Sequence, residues 1–204
     1  SNHLPLVGRS ESEAIRVGDQ CEAIPLPEKF FATLEFCRPP HKGEAIELEK
    51  PMTKTVTFED LPKLVGQETG VSDWLEITQE RVNQFADATG DHQWIHLDVE
   101  RAKKEMPGGK TIAHGYLTLS LIPFLTGGFL RIEGVTRGIN YGSNKVRFTN
   151  MVPVGSKVRA RSKLMSAELN PKSGGMQMIS EVTIEIEGQD RPACVAEAIG
   201  IVFK

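Results

Sequence analysis

Asp91 and His96 stand five residues apart in the stretch FADATGDHQWIHLDVERA, and their side chains are of the types that do acid/base work. A carboxylate and a neutral imidazole that reach the same water can take one proton from it and return another. The spacing sets a condition. On one continuous α-helix, positions five apart diverge by about 140°, because each residue turns by roughly 100°. The pair converges only if the backbone turns between the two residues. Gly90 supplies such a turn, since glycine readily takes the left-handed conformation that ends a helix, and Trp94 is placed to anchor the loop against the core. Taken alone, the same residues also suit a helix-terminating aspartate and a buried, hydrogen-bonded histidine. A metal centre is a third reading, because Asp91, His92, His96 and His114 offer oxygen and nitrogen ligands, and His92 and His96 would share a face if helical. Their spacing matches no familiar zinc pattern, and no metal is expected.

The elements that must position this pair are legible on both sides of it. Phe58 to Val65 reads as a short helical turn, and Gly66 to Ile77 as extended chain. Thr78 is a good N-cap for a helix whose apolar stripe is Val82, Phe85, Ala86 and Ala88, running to Thr89. Asp98 can cap a second short helix, VERAKKE, and a glycine-bearing link from Met106 to Lys110 leads to a strongly apolar helix over about Ile112 to Leu125. After Gly127-Gly128 the period changes from 3.6 to 2. Gly138–Phe148, Lys157–Leu169, Met176–Glu187 and Pro192–Phe203 alternate apolar with polar residues between turn-like separators. One long apolar helix followed by four amphipathic strands predicts an α+β layer, a curved antiparallel sheet wrapped on a buried helix.

Residues 1–54 differ: they are polar, proline-punctuated and irregular. Only Glu28 to Phe36 has helical periodicity, and Pro39-Pro40 would stop that helix. The expected organisation is an N-terminal extension with one short helix over 1–54, and a main domain over 55–204.

Composition narrows the partners. Among 204 residues, 24 Lys and Arg against 27 Asp and Glu give a formal charge of −3, which makes no overall electrostatic case for nucleic acid or an anionic membrane. The longest apolar stretch, Ile112 to Leu125, is interrupted by His114, Gly115, Thr118, Ser120 and Pro123 and cannot span a bilayer. The first residues, SNHLPLVGRSESE, lack the apolar centre of a secretory signal as they stand. Cys21, Cys37 and Cys194 are odd in number and form no C-x-x-C pair, so no disulfide framework or thiolate zinc site is indicated, and Cys194 in PACVAEAIGIVF reads as a small core residue. A reducing cytoplasm is the expected compartment.

The whole string says more than the pair. D-x-x-x-[IL]-H, followed eighteen residues later by A-H-G opening an apolar helix, resembles the (R)-specific enoyl-CoA hydratase motif of the MaoC-like dehydratases, which have the hot-dog fold. TGDHQWIHLDVERA, AHGYLTLSL, INYGSNKVRF and RPACVAEA are most similar to the nodulation protein N branch of that family. The resemblance runs over about residues 58–204. It implies reversible addition of water to a 2-enoyl thioester, with Asp91 and His96 as the catalytic pair and the Gly115 backbone N–H on the thioester oxygen. A glycine in the first turn of a buried helix has a free N–H and a favourable dipole for that role, and would equally suit close helix–sheet packing. His114 would support or pack rather than catalyse. The implied substrate is an acyl-CoA or acyl-carrier thioester, with no cofactor, and a homodimer or higher homo-oligomer is expected because one sheet edge would be left open.

The sequence departs from the family in places. Gln93 and Trp94 replace the Asn-Pro of the best-known form, and Pro123 falls where a serine is often found, with Ser120 one turn earlier. Asn140, Tyr141 and Asn144 are candidates for a strand approaching the thioester, and Lys103, Lys104 and Lys110 for its phosphates; both sets also suit ordinary strand-edge and surface positions. A non-catalytic thioester-binding protein and a hot-dog thioesterase are the alternatives.

Overall fold

Strands Lys157–Leu169 (β6), Met176–Ile186 (β7) and Cys194–Phe203 (β8) carry the clearest period-2 pattern, and in the computed structural model they pair antiparallel in the middle of one sheet. The model describes residues 53–204. The helix expected over Glu28–Phe36, and all of the N-terminal extension but its last two residues, lies outside the described residues. Alternation sends Val158, Ala160, Ser162 and Leu164 of β6 to the buried face. A bulge after Leu164 then shifts the register, so that Ala167 is the next buried residue. The sheet is extended on one side by the short strand Glu68–Val71 (β2), with Leu75–Glu76 (β3) also on β6. On the other side β8 pairs with Arg137–Phe148 (β5). Two further short strands, Lys54–Thr57 (β1) and Leu130–Glu133 (β4), pair in parallel, which the sequence pattern did not indicate.

Three helical segments lie at the expected places: a 3₁₀ segment at Phe58–Leu64, Gln79–Thr89 (α1) and Val99–Glu105 (α3), while the single turn Trp94–Leu97 (α2) falls where the sequence reading placed a loop. The apolar helix differs from expectation. It begins at Gly115 rather than near Ile112 and is divided into Gly115–Ser120 (α4) and Ile122–Thr126 (α5). Residues 111–113 are instead extended against 152–154, through Ala113 N–H to Val152 O at 2.8 Å and Val154 N–H to Thr111 O at 2.8 Å. A short apolar run reads alike as buried strand or buried helix, so composition alone did not mark the boundary. Pro123 accounts for the division, since it has no N–H to give to the preceding turn.

Leu117, Leu121 and Leu125, four residues apart, line one side of α4–α5 and meet Val158, Ala160, Val182, Ile184 and Ala196 of the sheet. The alanines leave room for the helix to approach. Cys194 is fully buried in this core, and burial pushes its thiol pKa up to about 11, as expected of an inert packing residue. β5 is the exception in the sheet. It is an outer strand of twelve residues whose side chains are nearly all exposed, Ile139, Tyr141 and Phe148 among them.

Candidate active site

The turn that the Asp91–His96 spacing demands is present. The Thr78 hydroxyl caps α1 by accepting from the Arg81 N–H at 3.2 Å, and Val82 and Ala86 bury its inner face. Gly90 ends the helix in the left-handed region at φ 78°, where a side chain would be strained, and its N–H closes on Ala86 O at 2.8 Å. The chain then reverses and delivers His96 from α2. Trp94 is half-buried, with the Arg101 guanidinium 3.9 Å from its ring centroid.

His96 is 6% exposed and its Nδ1 lies 2.7 Å from the Ile112 carbonyl oxygen. A carbonyl only accepts, so Nδ1 carries the hydrogen and the neutral ring keeps its lone pair on Nε2, as a general base requires. Burial, above all, holds the imidazole pKa below its usual range, and the neighbouring His114 ring acts in the same direction; the Ile112 carbonyl and Asp91 oppose them. His114 is 2% exposed and stacks on His96 with centroids 3.7 Å apart and ring planes at 27°. Its Nε2 donates to the main-chain carbonyl of Asp91 at 2.9 Å, so one imidazole touches both members of the pair.

These contacts gather three groups. An Asp91 carboxylate oxygen and one ring nitrogen each of His96 and His114 lie within 4.8 Å of one another, with Asp91 exposed and both histidines buried. The separation suits a single water between carboxylate and imidazole. The same three atoms are the set that could hold a metal ion among the described residues. His92 is not part of it, because its Nε2 turns to the exposed Asp87 carboxylate at 3.0 Å, which raises the His92 pKa.

Gly115 is the first residue of α4, and a Cβ there would come within 2.9 Å of the Phe148 ring. Close packing therefore requires glycine, while the first-turn N–H is left without an intrahelical acceptor. The close-packing reading of Gly115 holds, and its N–H is free of the bonds within the helix. Beside it opens a cavity of about 410 Å³ bounded by His96, Gly115 and Thr118 on the helix side and by Phe148, Asn150, Met151 and Arg191 opposite. Asp91 does not form its wall; it stands beside His96.

Other candidates lie apart. Asn140, Tyr141 and Asn144 are exposed on β5 and do not line this cavity, Lys104 and Lys110 are exposed surface residues outside its lining, and Lys103 is paired with Glu100 at 2.6 Å. Neither Ser120 nor Pro123 reaches the wall. The hydroxyl that the helix brings to the wall is that of Thr118, which is 3% exposed and which the sequence reading did not single out as a site residue. Its position one turn after His114 on an otherwise apolar helix was the available signal. Phe148 and Arg191 were also missed, and nothing local marks them: strand pairing brings them to the helix.

Comparison with known proteins agrees with this arrangement. The family model described as MaoC like domain matches residues 60–184. The 3-hydroxyacyl-thioester dehydratase Z of Mycobacterium tuberculosis is 54% identical over 146 residues, covering 70% of this chain and 95% of that protein. Nodulation protein N of Rhizobium leguminosarum bv. viciae is 43% identical over 150 residues, covering 72% of this chain and 91% of its own. Among solved structures, an R-hydratase from Pseudomonas aeruginosa in its unliganded form superposes with a TM-score of 0.54 at 25% identity, over 72% of this chain and 85% of that one. A family model matched over more than half of the chain, and curated relatives at 54% and 43% identity, show that this chain has the hot-dog architecture and belongs to the MaoC-like dehydratase family.

Proposed function

We propose that this protein is an (R)-specific enoyl-thioester hydratase, working reversibly as a 3-hydroxyacyl-thioester dehydratase, with Asp91 and His96 as its acid/base pair. The observation that carries the assignment of the pair is their convergence: an exposed carboxylate oxygen and a buried imidazole nitrogen within 4.8 Å, the imidazole neutral with its free lone pair on Nε2. Dehydratase relatives at 54% identity support the reaction class.

In the hydration direction Asp91 and His96 orient one water and remove a proton as its oxygen bonds to C3 of the 2-enoyl thioester. The displaced π electrons move onto the thioester oxygen, where the Gly115 N–H and the positive end of α4 face the new charge. The pair then returns a proton to C2, the thioester carbonyl re-forms, and one water has been added across the double bond. The thioester itself acts as the electron sink, so the chemistry calls for no metal or redox cofactor. Arg191, exposed at the cavity, is a cation available to an anionic carrier group, whether coenzyme A or an acyl-carrier arm.

The assembly we propose is a homodimer closed through β5. A twelve-residue outer strand with exposed Ile139 and Tyr141, its outer edge unpaired among the described residues, is of the kind that proteins cover. Tyr116, 68% exposed on α4, meets Phe148 of β5 edge-on at 5.6 Å, which places exposed aromatic surface beside the cavity. Residues 1–54 are proposed to be dispensable for the chemistry, in keeping with a family match that begins at residue 60. Incubation with crotonyl-CoA tests the function: loss of enoyl absorbance without free thiol is the expected result, free thiol indicates a thioesterase, and neither indicates a binding protein.

A further inference from the structure

We propose that Gln79 is a positioning residue for His96, acting through the one-turn helix α2 and not on the substrate; this rests on the acid/base reading of His96. α2 has only four residues, and Gln93 at its N-cap makes no side-chain capping bond. One turn does not hold itself in water, and its terminal carbonyls lack intrahelical donors. Gln79 satisfies one of them, its Nε2 donating to the His96 main-chain oxygen at 2.7 Å. The second Nε2 hydrogen goes to Asn83 Oδ1 at 2.8 Å, and Gln79 Oε1 accepts from the Thr111 hydroxyl at 2.5 Å. Two acceptors on one side and a hydroxyl on the other determine which way the amide faces.

Thr111 is 2% exposed and directly precedes Ile112, whose carbonyl receives the His96 Nδ1–H and whose N–H donates to Ile95 O at 3.1 Å. The segments 95–96 and 111–112 are therefore joined by two direct bonds and by the Gln79 bridge, all around the imidazole. Gln79 is itself the first residue of α1, an eleven-residue helix held by the Thr78 cap and by buried Val82 and Ala86. Its amide thus transmits the place of a packed helix to the single turn that carries the base.

Kinetics on crotonyl-CoA and ¹⁵N spectra of the imidazoles of the full chain test this. Gln79→Ala should lower kcat by about 10- to 100-fold with KM within about threefold, the mark of a misplaced rather than missing group. Gln79→Glu should lose at least as much, since a carboxylate can accept from Thr111 but cannot donate to the His96 carbonyl. Thr111→Val should cost about tenfold, Thr111→Ser should restore most of it, and the Gln79→Ala/Thr111→Val double variant should be little worse than Gln79→Ala alone. His96 should be a single Nδ1–H tautomer in the wild type and a mixture in Gln79→Ala. An unchanged tautomer in folded Gln79→Ala, or a lowered Tm with kcat unchanged, overturns the proposal. Should Gln79→Ala not fold, the same spectra on Thr111→Val decide it. A wild type without hydratase activity defeats the acid/base reading, whereas the tautomer still answers for Gln79.

Discussion

β6, β7 and β8 exchange main-chain hydrogen bonds along nearly their whole length, and their inward side chains are apolar and buried. The segment from Gly90 to Gly115 has no such ladder. It is made of a left-handed turn, two helices of four and seven residues, a 3₁₀ turn at Pro107–Gly109 and a stretch of extended chain, held by single side-chain bonds and a few main-chain ones. Burial is also used differently. In the sheet it excludes water from apolar groups, whereas around His96 and His114 it removes water from imidazoles and lowers the proton affinity of His96. Under the proposed mechanism, the contrast teaches that stability and chemistry are carried by different residues, joined at the start of α4.

The largest test of that division is the pair. Asp91→Asn and His96→Ala should each lower turnover by about 10² to 10⁴, or roughly 3 to 5.5 kcal/mol of transition-state stabilisation. The double variant should be little worse than the poorer single one, because the two groups work as a unit. Asp91 is exposed, so Asp91→Asn should leave Tm nearly unchanged. A large fall in Tm for that variant would show that the loop also carries the fold, and near-wild-type turnover would remove the mechanism.

Ile184→Ala probes the other side. Ile184 is fully buried on β7, and its truncation should destabilise the protein by about 2 to 5 kcal/mol, read from denaturant titration. The kcat of the fraction that remains folded should stay within about twofold if sheet and site are separable.

Gly115→Ala stands where the two regions meet. The new methyl would press on the Phe148 ring at 2.9 Å, so one element must shift. A loss of about tenfold in kcat/KM, with both Tm and activity affected, is the expected signature of a residue that serves packing and chemistry together. Loss of stability alone would leave Gly115 as a packing residue.

The smallest effect is on pH. In the proposed mechanism His96 acts as a base in its neutral form, and burial lowers its pKa, so the acid limb of kcat/KM should have its midpoint below the ordinary imidazole value, near pH 6.5. The stability effect has the matching sign. Below the unfolded pKa the unfolded chain binds a proton that folded His96 does not, so this contribution is fully present above about pH 6.5 and is lost as pH falls through the folded pKa. An acid limb above that value would mean that His96 is the more easily charged form, contrary to its burial.

Much of this was legible in the residues. Period-2 alternation marked all four long strands to within two residues, because a half-buried strand must alternate, and Thr78, Gly90 and Asp98 marked helix ends through their own local chemistry. The Asp91–His96 spacing even dictated that a turn must lie between them. Tertiary structure alone decided where the buried helix begins, since Ile112 and Ala113 are apolar in strand and helix alike and only their pairing with 152–154 makes them extended. It also decided the company of His96. His114, Gln79, Thr111, Phe148 and Arg191 lie 15 to 95 residues away in the chain and meet the loop, its anchors or its cavity only after the sheet has closed on α4. Local sequence determines local backbone preference, whereas a site assembled across such separations is set by which surfaces can be buried together, and that is a property of the packed whole.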